Sequence, residues 1–191
     1  MSTQDAGSIP ATLIPGDGVG PQIVDAVLLV LDALGAPFRW ENCRAGLAGI
    51  AAAGDPLPAD TLESIRRTRL SLKGPLTTPV GGGYRSVNVR LREEFQLYAN
   101  LRPVRTLVPG GRYENIDLVL VRENLEGLYV GLEHYIPVDG DPRAVAISSG
   151  VNTRAGSRRA EFAFDYALRH GRHKVTVVHK ANILKALTGS S

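Results

Sequence analysis

The sequence is poor in most of the features that mark a secreted, membrane-spanning or nucleic-acid-binding chain. It has one cysteine, Cys43, in 191 residues, so no internal disulfide is open to it. Its neighbours Glu41, Asn42 and Arg44 offer that thiol no histidine, and a structural cysteine in a reducing compartment is expected. Aromatic residues make up only 6% of the chain. The basic excess, a net charge of +3 from 18 arginines and four lysines against 19 acids, is scattered through polar motifs. It forms no basic face interleaved with stacking aromatics, which argues against nucleic acid as a partner. The longest apolar run, Ala26 to Leu31, is far too short to span a bilayer. No basic residue precedes Arg39, so the start has neither the charged n-region of a secretory signal nor the arginines of a presequence, and a soluble cytoplasmic location is expected. A 43% hydrophobic, 21% charged chain is ordinary globular composition and excludes disordered and fibrous classes.

Glycines, hydroxyls and arginines are concentrated instead in residues 73–105, KGPLTTPVGGGYRSVNVRLREEFQLYANLRPVR. Gly81, Gly82 and Gly83 free the backbone for positive φ and for close approach of a ligand to main-chain N–H groups. A helical pattern follows, and a loop feeding a helix N-terminus suits an anion. Val87, Leu91 and Phe95 recur at i, i+4 and i+8 and should face the core, while Asn88 and Arg92 lie one turn apart on another face. Ser86 stands at the helix entrance. A strand-like stretch, Gln96 to Leu101, leads to Arg102, and Pro103 opposes further helix. The plainer alternative is a solvated basic helix behind a flexible loop. The convergence of hydroxyl, amide and guanidinium groups beside glycines favours the floor of an anion-binding site.

In chain order, Ile9 to Pro15 reads as a buried strand ending in IPGDGVGP, and Pro21 to Leu34 as a helix with Ile23, Val24, Val27, Leu28 and Leu31 on its apolar face. Gly16, Gly18 and Gly20 miss the spacing of the dinucleotide fingerprint, so a tight turn accounts for them better than a Rossmann-type site. Phe38 to Cys43 alternates like a strand, Arg44 to Gly54 is a helical connection, Pro58 to Thr68 a short helix with Leu62 and Ile65 apolar, and Leu70 to Leu72 a strand. Strands alternating with helices predict an α/β fold with a largely parallel sheet and flanking helices. Asp117 to Val121 is strongly β-forming and delivers RENLEGLYVGLEH at its end. That position makes Arg122, Glu123, Asn124, Glu126 and Tyr129 candidates, although a polar surface loop explains Glu123, Asn124 and Glu126 taken singly. Residues 132–151, punctuated by Pro137, Gly140 and Pro142, suggest a two-strand antiparallel excursion. A helix from Arg154 to Arg169 with Ala160, Phe164, Ala167 and Leu168 buried, a strand over Lys174 to Val178 and a helix opening in HKANILKALTG complete the pattern. The domain line is drawn after residue 123, with 1–123 the first part of a large α/β domain and 124–191 a smaller, dimerising one.

Four stretches, IPGDGVGP (14–21), KGPLTTPVGGGYRSVNVRLREEFQLYANLRPV (73–104), VRENLEGLYVGLEH (121–134) and VVHKANILK (177–185), resemble the isocitrate and isopropylmalate dehydrogenases, metal-dependent β-decarboxylating enzymes. The likeness runs from about residue 9 to residue 189, and the Ser-x-Asn pair is similar to the isocitrate branch. It implies that Ser86 and Asn88 hold the substrate's extra carboxylate and that Arg92, Arg102 and Arg122 bind the others, in keeping with the bidentate match of guanidinium to carboxylate. It also implies Thr77 and Thr78 beside the nicotinamide, Lys180 as the base that accepts the hydroxyl proton, Tyr129 as the acid that protonates the enolate, and Asn182 as a further substrate contact. Tyr84 before Arg85 is similar to the pattern of NAD-type members, with NADP the alternative cofactor. A homodimer with a shared active site is implied, since in this family the lysine and asparagine reach the site from the neighbouring subunit.

The departures are informative. The Mg2+ or Mn2+ of the family is held by aspartates that follow the HKANILK motif, so no metal ligand is expected within these residues. The adenosine-binding loops and part of the sheet are also expected to lie elsewhere, leaving the fold incomplete and the isolated chain inactive and poorly folded. Leu125 replaces the small hydroxyl residue of the RENTEG motif. The implied reaction is oxidative decarboxylation of isocitrate to 2-oxoglutarate. Homoisocitrate or isopropylmalate as substrate, or a non-catalytic regulatory chain, are the alternatives.

Overall fold

The computed structural model describes residues 7–79, 83–151 and 158–179, with the backbone alone at Tyr129. The elements, in order, are β1 (Ile9–Ile14), α1 (Gly20–Ala33), β2 (Phe38–Asn42), α2 (Leu47–Ala53), α3 (Ala59–Thr68), β3 (Ser71–Lys73), α4 (Val87–Glu94), β4 (Ala99–Arg105), β5 (Asp117–Glu123), β6 (Gly127–Val138), β7 (Asp141–Val151) and α5 (Arg158–Arg169). They fall into two compact units, Met1–Arg90 and Leu91–Ser191. The line between the units lies within α4, whereas the sequence reading places its domain line after residue 123.

The first unit is a mixed α/β layer with a parallel sheet in the order β2-β1-β3 and flanking helices. The expected α/β fold is therefore present. Its centre is β1, where Ala11, Thr12, Leu13 and Ile14 are all at most 4% exposed; a parallel strand with neighbours on both edges is largely apolar for that reason, and Thr12 is the exception. Helix α1 packs by a narrower face than the five residues expected. Val24 is buried, but Ile23 and Val27 are 45% and 36% exposed, because α1 is apolar nearly all round and only one side of it meets the sheet. Helix α3 departs in the opposite sense, since the residues it buries most deeply are Thr61, Ser64 and Ile65.

Those hydroxyls are tolerated because each is satisfied. The Thr61 hydroxyl donates to the Arg44 carbonyl at 2.7 Å. Thr12, fully buried on β1, has its Oγ1 2.7 Å from Ser64 Oγ and 2.9 Å from Thr68 Oγ1. Ser64 donates its proton to Glu41 on β2 at 2.8 Å, and Thr68 donates to the Leu70 carbonyl at 3.0 Å. Thr12 must therefore supply the proton that it shares with them. Arg67 closes the network on Glu41, whose carboxyl is held below its usual range by the Ser64 hydrogen bond first and Arg67 second.

In the second unit the described strands pair antiparallel, so parallel pairing is confined to the first. β4 pairs with β5 over Ala99↔Glu123 to Arg105↔Asp117. β6 and β7 form a hairpin that begins at Gly127, earlier than the excursion expected from residue 132. Asp139 and Gly140, with φ of 49° and 84°, alone make its turn; two positive φ values match the twist of a hairpin. Pro137 and Pro142 lie in the strands, and Pro137 sits where the register shifts, as suits a residue with no N–H to donate. Two further expectations are corrected. Residues 172–179 form neither helix nor strand: Val177 and Val178 are 72% and 86% exposed, and β propensity without a pairing neighbour makes no ladder. On α5 only Ala167 of the four residues named is buried. Ala160 is exposed and Phe164 and Leu168 are 55% and 79% exposed, while half-buried Phe162 meets Tyr98 edge-on and lies tilted against half-buried Tyr166. The segments 152–157 and 180–191, with the start of the first expected helix and all of the second beyond His179, lie outside the described residues.

Thr12→Val should preserve shape while removing the proton that begins the buried network. A loss of about 1–3 kcal/mol is expected, read from denaturant unfolding. A variant as stable as the parent would show that Ser64 and Thr68 satisfy each other without it.

Candidate active site

In the first unit, two loops touch backbone to backbone. The turn after β1 lies against the segment after β3 so closely that a Cβ at Gly16 would stand 2.1 Å from the Pro75 carbonyl oxygen, and one at Gly74 would stand 2.0 Å from that of Pro15. Glycine is obligatory on both sides. Asp17, 8% exposed, stitches the loops together. Its N–H donates to the Pro75 carbonyl at 2.8 Å, and its carboxylate accepts the Thr77 N–H at 2.9 Å and the Leu47 N–H at 3.0 Å. The Tyr84 hydroxyl then donates to the Thr77 carbonyl at 2.8 Å.

The backbone of Thr77 is thus held from both sides while the side chains of Thr77 and Thr78 stay exposed. The Thr78 hydroxyl points at the Ser86 hydroxyl, 3.5 Å away, so two segments read separately in the sequence meet here. Ser86 opens α4 as expected: its carbonyl accepts from Val89 and Arg90 N–H, both at 3.0 Å. Val87 and Leu91 are buried, at 1% and 9% exposure, which leaves Asn88 and Arg92 half-buried on another face. Phe95 lies just past the helix end. Of the three consecutive glycines, Gly83 has φ 106°, while Gly81 and Gly82 lie outside the described residues.

Helix α4 is also anchored by an ion pair that sequence reasoning missed. Arg90 forks onto Asp55, with Nη1 to Oδ1 at 2.6 Å and Nη2 to Oδ2 at 3.4 Å, while Asp55 Oδ1 also accepts the Leu57 N–H at 2.9 Å. The Arg90 hydrogen bond, followed by that from Leu57, holds the Asp55 carboxyl below its usual range. Asp17 was missed too. The signal available was an acid flanked by two glycines in a turn that follows a buried strand, a place where a carboxylate needs N–H partners.

In the second unit, the register Asn100↔Arg122 and Arg102↔Leu120 places Arg102 and Arg122 on one face of the β4–β5 ladder. Both are exposed, and Arg102 Nε donates to Asn100 Oδ1 at 3.1 Å. That face can offer two guanidinium groups to one anion. Glu123 and Asn124 are tied into the local structure, where the plainer reading has a polar surface loop. Glu123 pairs with Arg159 and accepts the N–H groups of Asn124, Leu125 and Glu126, and buried Asn124 donates to the Leu97 carbonyl at 3.2 Å. Asp117 is taken up by Arg172, at 2.6 Å, and Arg105. Tyr129 lies on β6, and Lys180 and Asn182 lie outside the described residues. Among the described residues, no group of three or more His, Cys, Asp or Glu is placed to hold a metal ion.

The model of the family "Isocitrate/isopropylmalate dehydrogenase" matches residues 11–189. An isocitrate dehydrogenase from Methylococcus capsulatus superposes with a TM-score of 0.88 at 54% identity, covering 94% of this chain and 53% of that one. The NAD isocitrate dehydrogenase catalytic subunit 5 of Arabidopsis thaliana, mitochondrial, is 46% identical over 95% of this chain and 48% of its own length. The chloroplastic 3-isopropylmalate dehydrogenase of Solanum tuberosum is 43% identical over 98% of this chain and 52% of its own. The chain spans about half the length of the curated relatives it matches.

The Asp55–Arg90 pair makes the first unit sensitive to acid. A carboxyl whose folded pKa is depressed adds stability above its unfolded value, about 4, and that stability is lost as pH falls through the folded pKa. Unfolding free energy should therefore decline in acid, and Asp55→Asn should lower stability at neutral pH while flattening the decline. Denaturant titrations at a series of pH values test this, and parallel pH profiles for parent and variant would rule the pair out as a contributor.

Proposed function

The chain belongs to the isocitrate/isopropylmalate dehydrogenase family, a family of decarboxylating oxidoreductases, and from that premise we propose that the complete protein oxidises and decarboxylates isocitrate to 2-oxoglutarate with NAD as hydride acceptor. The observation that carries the reading is the meeting of Thr78 and Ser86. It brings the exposed threonine pair, suited to the polar edge of a nicotinamide, beside the hydroxyl and amide of Ser86 and Asn88, suited to a carboxylate. Arg92, Arg102 and Arg122 supply the cationic forks that a tricarboxylic acid requires. Bound at Thr77 and Thr78, NAD would take the hydride from the substrate's secondary alcohol.

Two proton positions complete the proposal. Lys180 accepts the hydroxyl proton during oxidation, which requires an amine that gives up its charge readily. Tyr129 returns a proton to the carbon that loses carbon dioxide. Asn182 contacts the substrate, and a homodimer brings Lys180 and Asn182 to the neighbouring site. The described residues do not provide a donor set for Mg2+ or Mn2+. We keep the domain line after residue 123 as a proposal for the complete fold.

The relative named for 3-isopropylmalate supports a second substrate reading, and the two acids separate the readings. Isocitrate should give the higher kcat/KM by at least about tenfold, since an isopropyl group leaves Ser86 and Asn88 unpaired at roughly 1–3 kcal/mol for each polar group. Equal values, or the reverse order, would replace isocitrate as the substrate.

The proton roles are tested by supplying the β-keto acid directly. Lys180→Met should lose oxidation yet still process that acid, whereas Tyr129→Phe should bind isocitrate normally and stall after oxidation. A Lys180 variant no better with the keto acid than with isocitrate would refute the division.

A further inference from the structure

We propose that Asp17 is a positioning residue for the dinucleotide, holding the Thr77–Thr78 loop in the conformation in which its exposed hydroxyls meet the nicotinamide end. The inference rests on the reading of those threonines given above. Asp17 grips the loop at two points: its N–H on the Pro75 carbonyl at 2.8 Å and its Oδ2 under the Thr77 N–H at 2.9 Å. Its other oxygen takes the Leu47 N–H at 3.0 Å, at the first residue of α2, where the helix dipole favours a negative charge. The loop is therefore referenced to a helix as well as to the sheet.

The surroundings are shaped for a carboxylate. Gly46 has φ 67°, and a Cβ there would stand 2.1 Å from Asp17 Oδ2 and 2.9 Å from Oδ1. Both acceptor oxygens are needed because both neighbours are donors. An asparagine of the same shape would turn an N–H2 towards one of the two amides, and one backbone N–H would lose its partner. Thr77 and Thr78 themselves are exposed, so the loop lacks the side-chain burial that would otherwise fix it. The Tyr84 hydroxyl holds the Thr77 carbonyl, and Asp17 holds the N–H of the same residue.

The test is Asp17→Asn in the complete protein, assayed with NAD and isocitrate. KM for NAD should rise about tenfold, the scale of one lost charge-assisted hydrogen bond, with KM for isocitrate unchanged. A residue that served folding alone would lower kcat and Tm together and leave both KM values where they were, and that outcome overturns the proposal. If Asp17→Asn fails to fold, Gly46→Ala displaces the same carboxylate from the other side and should give the same KM signature. Hydrogen exchange at the Thr77 amide supplies a readout independent of activity. Should the parent protein fail to oxidise isocitrate, the functional reading falls, and exchange alone judges the clasp: protection in the parent that is lost in Asp17→Asn supports it, and equal exchange overturns it.

Discussion

The first unit depends on how closely two stretches of backbone can approach. Where the turn after β1 meets the segment after β3, the separations leave no room for a Cβ at Gly16 or Gly74, so the main chains themselves form the contact. Such a contact is rigid because it contains no rotatable side chain. It also brings the Thr77 amide, on the segment after β3, within reach of the Asp17 carboxylate, which takes the Leu47 amide at the start of α2 with its other oxygen. The glycines of IPGDGVGP thus answer to packing between loops, and the acid between them converts that packing into a fixed position for the threonines.

The sequence was most legible where a periodic pattern and a single burial environment coincide. β1 from Ala11 to Ile14 and α4, from its entrance at Ser86 to Arg92, match the pattern, while Ile9 and Pro10 are exposed and Phe95 falls past the helix end; a buried strand and a helix with one apolar stripe leave few alternatives. Ser86 as the helix entrance, and Asn88 and Arg92 set apart from Val87 and Leu91, followed from spacing. Faces of α1 and α5 were less legible. Both helices carry more apolar residues than the described structure covers, so periodicity named candidates without saying which would be buried. Lys174 to Val178 failed for a related reason, since a strand is a property of a pair.

Polar interactions of long sequence separation were the least legible. Asp17 with Thr77, and Asp55 with Arg90, join residues 60 and 35 positions apart, and nothing local marks them as partners. Asp55 stands in a turn where an acid is common, and Arg90 sits two residues from Arg92, in a stretch whose arginines suit a carboxylate substrate. The same applies to Thr61 and Ser64: a hydroxyl on a helix is ordinarily surface, and only its partner on another element makes burial affordable. The likeness of four motifs to known enzymes supplied roles for residues whose pairing could not be read. It could not indicate which polar residues hold the others in place.

The two kinds of sheet in this chain differ in how soon they can form. The β6–β7 hairpin closes through Asp139 and Gly140, so its strands meet as soon as both exist, on the microsecond scale of hairpins. β1 has no such neighbour. Its first partner, β2, begins at Phe38 after a whole helix, and its second, β3, begins at Ser71, so the most buried of the described strands stays unpaired on one edge until some sixty residues have followed it. Contacts of that separation are slow to close. During synthesis, the delay before β1 gains its second neighbour leaves an open strand edge exposed to other chains.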